Sequence, residues 1–138
     1  MSKNNQFGIA IAGLGTVGSG VAQILSEHKK DGQGMFLKSI LERDPQNGIA
    51  AEWFDKMSKD FVEDQETILQ DQEIKVIVET IGGTGFAREF TKEALKRGKH
   101  VVTANKDLIA THGAEICELA QSSKRHYLFE AAVAGAIP

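Results

Sequence analysis

The chain has few of the residues that staple, break or anchor a fold: one cysteine, two prolines, one tryptophan and one tyrosine in 138 residues. Cys117 has no internal disulfide partner, and its place in the pattern Ala114, Cys117, Leu119, Ala120 predicts a small buried apolar side chain. The longest apolar runs, such as Val76 to Val78 and Ala131 to Ala134, fall far short of the roughly 20 residues needed to cross a bilayer. Met1 to Phe7 is polar and leads straight into an apolar segment, so the two regions of a signal peptide are missing and a cytoplasmic setting is expected. No repeat, low-complexity tract, heptad run or Pro/Ser-rich linker divides the chain, which predicts one domain around one core. A net charge of -3 gives no general attraction to nucleic acid or anionic lipid, so neither is expected as a partner. The local basic cluster Lys96, Arg97, Lys99 and His100 reads as the cationic C-terminal end of a helix. His28, His100, His112 and His126 have no metal-ligand spacing and are expected at the surface or at helix ends.

What is present is a soluble-protein composition, 41% hydrophobic and 25% charged, with strands and helices in alternation. Phe7 to Ala12 is apolar without alternation, as in a parallel strand covered on both faces, and Gly13-Leu-Gly-Thr-Val-Gly18 follows at once. Val17, Val21, Ile24 and Leu25 then recur at helical spacing. Phe36 to Leu41 reads as a second strand before the turn Asp44 to Gly48, followed by a short helix around Ala51 to Met57 and a helical turn at Glu66 to Gln70. Ile74 to Glu79 is a β-branched strand that stops at Thr80-Ile-Gly-Gly-Thr84. Phe86, Phe90, Ala94 and Leu95 mark one helical face closed by Gly98; His100 to Thr103 is a strand, a helix follows, and Tyr127 to Glu130 is the last strand. This order predicts an α/β fold with a doubly wound parallel sheet. Ala131 to Pro138 leaves the sheet as an apolar, helix-capable segment, which predicts a domain border with a second domain beyond it.

Gly13, Gly15 and Gly18 form G-x-G-x-x-G between a strand and a helix, the context that gives the motif meaning. The first glycine permits the tight turn, the second lets backbone approach a pyrophosphate, and the third allows close packing, while the helix N-terminus offers amide donors. The expected fold is thus a Rossmann-type NAD(P)-binding domain. At the end of the second strand stands Glu42-Arg43-Asp44. A carboxylate there suits the ribose hydroxyls of NAD and an arginine suits the 2′-phosphate of NADP, so the residues leave the two cofactors open, along with a plain solvated charge pair. Glu79-Thr80-Ile81-Gly82-Gly83 closes a strand at the ligand-binding edge, either to pass close to a nicotinamide ribose or simply to turn, and Glu79 has the same two readings, a carboxylate of the ligand edge or only a cap of the following turn. Thr103-Ala-Asn-Lys106 ends the next strand at that edge, where a lysine is placed to polarise a carbonyl and stabilise an alkoxide, or is only a solvated surface group.

Four blocks taken together resemble the homoserine dehydrogenase family: Gly-Leu-Gly-Thr-Val-Gly18, Val-Glu-Thr-Ile-Gly-Gly83, Ala-Leu-Lys-Arg-Gly-Lys-His-Val-Val-Thr-Ala-Asn-Lys106 and Phe-Glu-Ala-Ala-Val-Ala-Gly-Ala-Ile-Pro138. The resemblance covers nearly the whole chain but only the family's amino-terminal part. It implies an enzyme that interconverts L-homoserine and L-aspartate 4-semialdehyde by hydride transfer, with NADPH or NADH, on the route to threonine, methionine and isoleucine. It implies that Gly13, Gly15, Thr16, Val17 and Gly18 hold the pyrophosphate, that Arg43 meets the 2′-phosphate, that Thr80 and Gly82 lie along the cofactor, and that Lys106 is a catalytic-site lysine. It further implies a monovalent cation, commonly sodium, on the Glu130 carboxylate and the carbonyls of Val133, Gly135 and Ile137. Ala136 departs from the pattern, standing where many members have a second glycine. The family's second catalytic lysine and its substrate-binding carboxylates fall beyond Pro138, so the chain alone is expected to bind cofactor and catalyse little. The complete enzyme would be a homodimer through its later domain, with a monomer open for this chain.

Two other readings stand beside this one. A nucleotide-sensing regulatory module of a potassium channel or transporter has similar length and glycine fingerprint, but needs no lysine after its fifth strand and normally ends its second strand in an acid. Another amino-acid or semialdehyde dehydrogenase would share the fold, and its second domain would tell it apart.

Overall fold

The structure is a computed structural model that describes residues 6–27 and 34–129. Six parallel strands form one sheet in the order β3-β2-β1-β4-β5-β6: β1 Phe7–Ala12, β2 Met35–Leu41, β3 Phe61–Val62, β4 Ile74–Glu79, β5 His100–Thr103 and β6 Tyr127–Phe129. The helices between them are α1 Thr16–Glu27, α2 Gly48–Met57, α3 Gln65–Leu69, α4 Phe86–Lys96 and α5 Lys106–Ser123. This is the doubly wound α/β class that the alternation of elements predicts. The chain winds outward from β1 to β3, returns to the far side of β1 as β4, and winds outward again to β6. The turns after β1 and β4 therefore diverge to opposite faces and leave a crevice at their carboxyl ends, where ligands bind in open α/β sheets.

The sheet is covered on both sides because β1 is apolar on both. Ile9 and Ile11 join the cluster containing Leu14, Ala22, Leu25, Ile40 and Ala50, whereas Ala10 and Ala12 join the cluster containing Ile68, Ile77, Phe90, Leu95, Leu108 and Ile116. Each large aliphatic side chain so buried contributes about 1.5–3 kcal/mol.

Within the expected helices the buried faces are set by the sheet rather than by the largest side chains. In α1 the residues turned inward are Gly18, Ala22 and Leu25, while Val17 is 47% and Ile24 57% exposed, because small residues let the helix lie close on β1. Phe86 is exposed at the first turn of α4 and stacks on buried Phe90, with ring centroids 5.6 Å apart. Cys117 is a correction: it lies on the solvent face of α5, since the buried stripe runs through Leu108, Gly113, Ile116 and Ala120. The two-residue strand β3 was not expected; its only mark is the pairing of Phe61 with Ile40 and Val62 with Leu41.

The basic cluster is only partly a helix end. Lys96 and Arg97 close α4, and Arg97 pairs with Glu66 and Glu93. Lys99 is instead buried, its ammonium donating to the carbonyls of Asp71 and Ile74, and His100 lies on β5 with Nδ1 accepting the His126 N–H. No helix among the described residues is long and apolar enough to cross a membrane.

Candidate cofactor and active site

The turn after β1 is held from three sides. The Gly13 N–H donates to the Leu41 carbonyl at 2.8 Å, the Leu14 N–H donates to the Glu42 carboxyl at 2.7 Å, and the Thr80 hydroxyl donates to the Gly13 carbonyl. Gly13 sits at φ +93, and a Cβ there would come within 2.8 Å of the Thr80 carbonyl group, so both conformation and space demand glycine. Gly18 is tighter still, since a Cβ would stand 2.1 Å from the Gly13 carbonyl oxygen. Gly15 differs: a Cβ there would meet nothing within 4 Å. The glycine therefore leaves backbone open to the crevice rather than relieving a clash.

Gly15, Thr16 and Val17 are exposed at the start of α1, and the helix has no acidic residue in its first turn. The first amides of a helix have no intrahelical acceptor and carry the positive end of its dipole. An uncompensated, exposed N-terminus beside an open glycine fits a pyrophosphate. The residues present thus fit the phosphate half of a dinucleotide.

At the end of β2 the ambiguous triplet separates. Glu42 is half-buried and both its oxygens are engaged, one by Leu14 N–H and the other by Asp44 N–H at 3.1 Å. Asp44 takes the Asn47 amide. Arg43 is exposed and makes no hydrogen bond or ion pair among the described residues.

The edge formed by β4, β5 and α5 is built around a buried carboxyl. Glu79 is fully buried, and it accepts from the Thr103 hydroxyl at 2.6 Å, the Ile81 N–H at 3.0 Å and the Asn105 amide at 3.2 Å. Asn105 also donates to the Gly83 carbonyl at 2.8 Å, and its Oδ1 accepts from Leu108 N–H as the N-cap of α5. The adjacent turn places Gly82 and Gly83 at φ +88 and +75 with open space where side chains would be. Lys106 is the first residue of α5, exposed, and without a hydrogen bond or ion pair among the described residues. A cation in the first turn of a helix opposes the dipole, so this position is not chosen for helix stability.

A family model described as "Homoserine dehydrogenase, NAD binding domain" matches residues 13–130. The chain belongs to the homoserine dehydrogenase family. It is 38% identical over 139 residues to homoserine dehydrogenase of Corynebacterium glutamicum and 40% identical over 135 residues to that of Lactococcus lactis. Those alignments take in 95% and 94% of this chain but 30% and 31% of the relatives, so it spans about a third of their length. Among solved structures, S. aureus homoserine dehydrogenase at pH 8.5 superposes with a TM-score of 0.80 at 36% identity, over 93% of this chain and 33% of that one. The homoserine dehydrogenase of Thiobacillus denitrificans superposes at 0.79 with 34% identity, over 92% of this chain and 30% of that one. The regulatory-module reading gains no support from these matches.

The fold brings the family's implied residues to one edge. Gly13, Gly15, Thr16, Val17 and Gly18 follow β1; Thr80 and Gly82 follow β4; Arg43 follows β2; and Lys106 follows β5. Thr80 is turned inward, with its hydroxyl proton on the glycine turn. The implied cation ligands Glu130, Val133, Gly135 and Ile137 lie outside the described residues, and no three His, Cys, Asp or Glu side chains cluster among the described ones. Sequence reasoning missed Thr103 and the bridging role of Asn105. An asparagine directly before a helix is an N-cap signal from which its bond to Leu108 could have been read, but nothing local marks its partners across the sheet.

Proposed function

We propose that this chain is the cofactor domain of an NADP-preferring homoserine dehydrogenase, and the observation that carries the cofactor choice is the contrast between Glu42 and Arg43. The Glu42 carboxyl already accepts one bond on each oxygen, from Leu14 and Asp44, which leaves it fewer free acceptor sites for ribose hydroxyls. An exposed guanidinium beside it suits a 2′-phosphate, with which arginine makes charge-assisted, often bidentate, hydrogen bonds.

In the proposed reaction the amides of Gly15, Thr16 and Val17 hold the pyrophosphate at the head of α1. The Gly82-Gly83 turn lets the rest of the cofactor lie against backbone on the far side of the crevice. When bound, NADPH would supply the hydride that reduces the aldehyde carbon of L-aspartate 4-semialdehyde, leaving NADP+, while a proton from solvent would complete the hydroxyl of L-homoserine. Lys106, at that same edge, stabilises the charge that develops on the aldehyde oxygen, and electrostatic help of this kind acts on the transition state rather than on binding. The substrate itself would be held by segments that the relatives carry outside the matched stretch, in a cytoplasmic homodimer formed through that part. A sodium ion on Glu130, Val133, Gly135 and Ile137 is proposed from the family resemblance.

Calorimetric titration of this chain with NADPH and, separately, NADH tests the cofactor reading. Saturable binding with NADPH favoured is expected. Favoured NADH would return the ribose to Glu42, and no binding by a folded sample would leave the glycine turn with a packing role only.

A further inference from the structure

Glu79 is a titratable group buried at the catalytic edge that the proposed reaction does not use. It has no cationic partner among the described residues, and burying a carboxyl is costly unless hydrogen bonds replace water. All three of its donors belong to backbone or side chains that shape the site. The Ile81 N–H opens the turn that reaches Gly82 and Gly83. Thr103 closes β5, and its hydroxyl also accepts from the Asn105 N–H at 2.9 Å. The Asn105 amide bridges the carboxyl to the Gly83 carbonyl, while its oxygen caps the helix that begins with Lys106. Beside this knot the neighbouring strand β6 contributes buried Tyr127, whose pKa is pushed up by burial and then by the charge of Glu79.

From this geometry we infer that Glu79 is a positioning residue: through Asn105 it locks the Gly82-Gly83 turn and the N-terminus of α5 into one rigid unit, so that the nicotinamide half of the site and Lys106 are held together. This rests on the cofactor reading above and extends it. The glycine turn after β1 is tied to Leu41, Glu42 and Thr80, and none of those bonds passes through the carboxyl of Glu79. The two halves of the crevice therefore meet at Thr80, but only the β4–β5 half is organised by the Glu79 carboxyl. Loosening one should leave the other able to bind.

The test compares two probes on this 138-residue chain: NADPH, which spans both halves, and 2′-phospho-ADP-ribose, which lacks the nicotinamide. Glu79→Gln keeps the shape but presents an amide nitrogen where one oxygen accepted, and Asn105→Ser keeps an N-cap for α5 while removing the bridge to Gly83. Each variant is expected to weaken NADPH by about tenfold, the scale of one lost buried hydrogen bond, and to leave 2′-phospho-ADP-ribose within about twofold. Unchanged NADPH affinity in a folded Asn105→Ser chain overturns the inference. So does an equal loss of both probes, which would make the knot a general support of the fold. Should Glu79→Gln not fold, the Asn105→Ser result decides. If the unmodified chain binds neither probe, it is the cofactor reading that fails, and the inference falls with it.

Discussion

The backbone N–H of Leu14 donates to the carboxyl of Glu42 at 2.7 Å across 28 positions of sequence, tying the turn after β1 to the end of β2. An acidic residue at this place in a doubly wound sheet is commonly a ribose ligand. Here it is a latch on the glycine turn. Replacing Glu42 by alanine leaves a part-buried amide without its acceptor, which costs about 1–3 kcal/mol. The expected result in urea unfolding and titration is lower stability with NADPH and NADH weakened alike. A loss confined to NADH would show Glu42 to be reading the ribose after all.

Arg43 is expected to act on one cofactor only. Arg43→Ala should weaken NADPH by about tenfold or more and leave NADH nearly unchanged, since only the first carries the 2′-phosphate. Parallel titrations in low and high salt check this, because the selective part should shrink as salt rises.

The two glycines that flank the start of α1 should respond in opposite ways. Gly18→Ala places a Cβ 2.1 Å from the Gly13 carbonyl oxygen and 2.9 Å from the Thr80 hydroxyl, against backbone that has no room to yield. A destabilisation of about 1–3 kcal/mol or more is expected from such overpacking. Gly15→Ala meets nothing within 4 Å and should melt like the parent chain, yet lose cofactor affinity because its methyl enters the path of the pyrophosphate. Undiminished NADPH binding by Gly15→Ala would refute the close backbone approach.

Stability should fall with acid in two stages. His100 accepts the His126 N–H at Nδ1, and burial, then the charges of Arg125 and His126, hold its pKa below the ordinary 6.5. The unfolded chain therefore takes up this proton first, so the contribution is complete above about 6.5 and is lost as pH falls toward the folded value. Glu66, hydrogen-bonded by Arg97, is held below 4.5, and Glu115, hydrogen-bonded by Lys92 and Arg88, is held at about 2. Their contribution is present above about 4.5 and lost below it, and it is small because the carboxyls are exposed. Urea midpoints measured from about pH 7.5 to 5.5 should drop in the parent chain and much less in His100→Gln.

In a complete enzyme, Lys106→Ala should lower kcat by orders of magnitude while cofactor affinity changes little, as expected of a group acting on the transition state. Steady-state kinetics beside NADPH titration separates the two. An unchanged kcat removes Lys106 from the reaction.

The amino-acid sequence by itself determined the elements whose causes are local. An apolar strand, a glycine turn and the start of a helix are written within Phe7 to Gly18, and β-branched Ile74 to Glu79 followed by paired glycines makes a strand with an open turn. The alternation of such units then implies a parallel sheet, so the sequence alone places the glycine turn and Lys106 at one edge. Tertiary structure decided whatever depends on which neighbour arrives. Glu42 and Arg43 are adjacent in sequence with opposite fates because the turn after β1 brings the Leu14 amide to Glu42 and leaves Arg43 facing solvent. Cys117 faces water because α4 and the sheet meet a different stripe of α5, and Phe61–Val62 is a strand only because the end of β2 offers it partners. The buried knot of Glu79, Thr103 and Asn105 spans 26 positions from its first residue to its last, and a hydrogen bond at that separation exists only once β4 and β5 lie side by side.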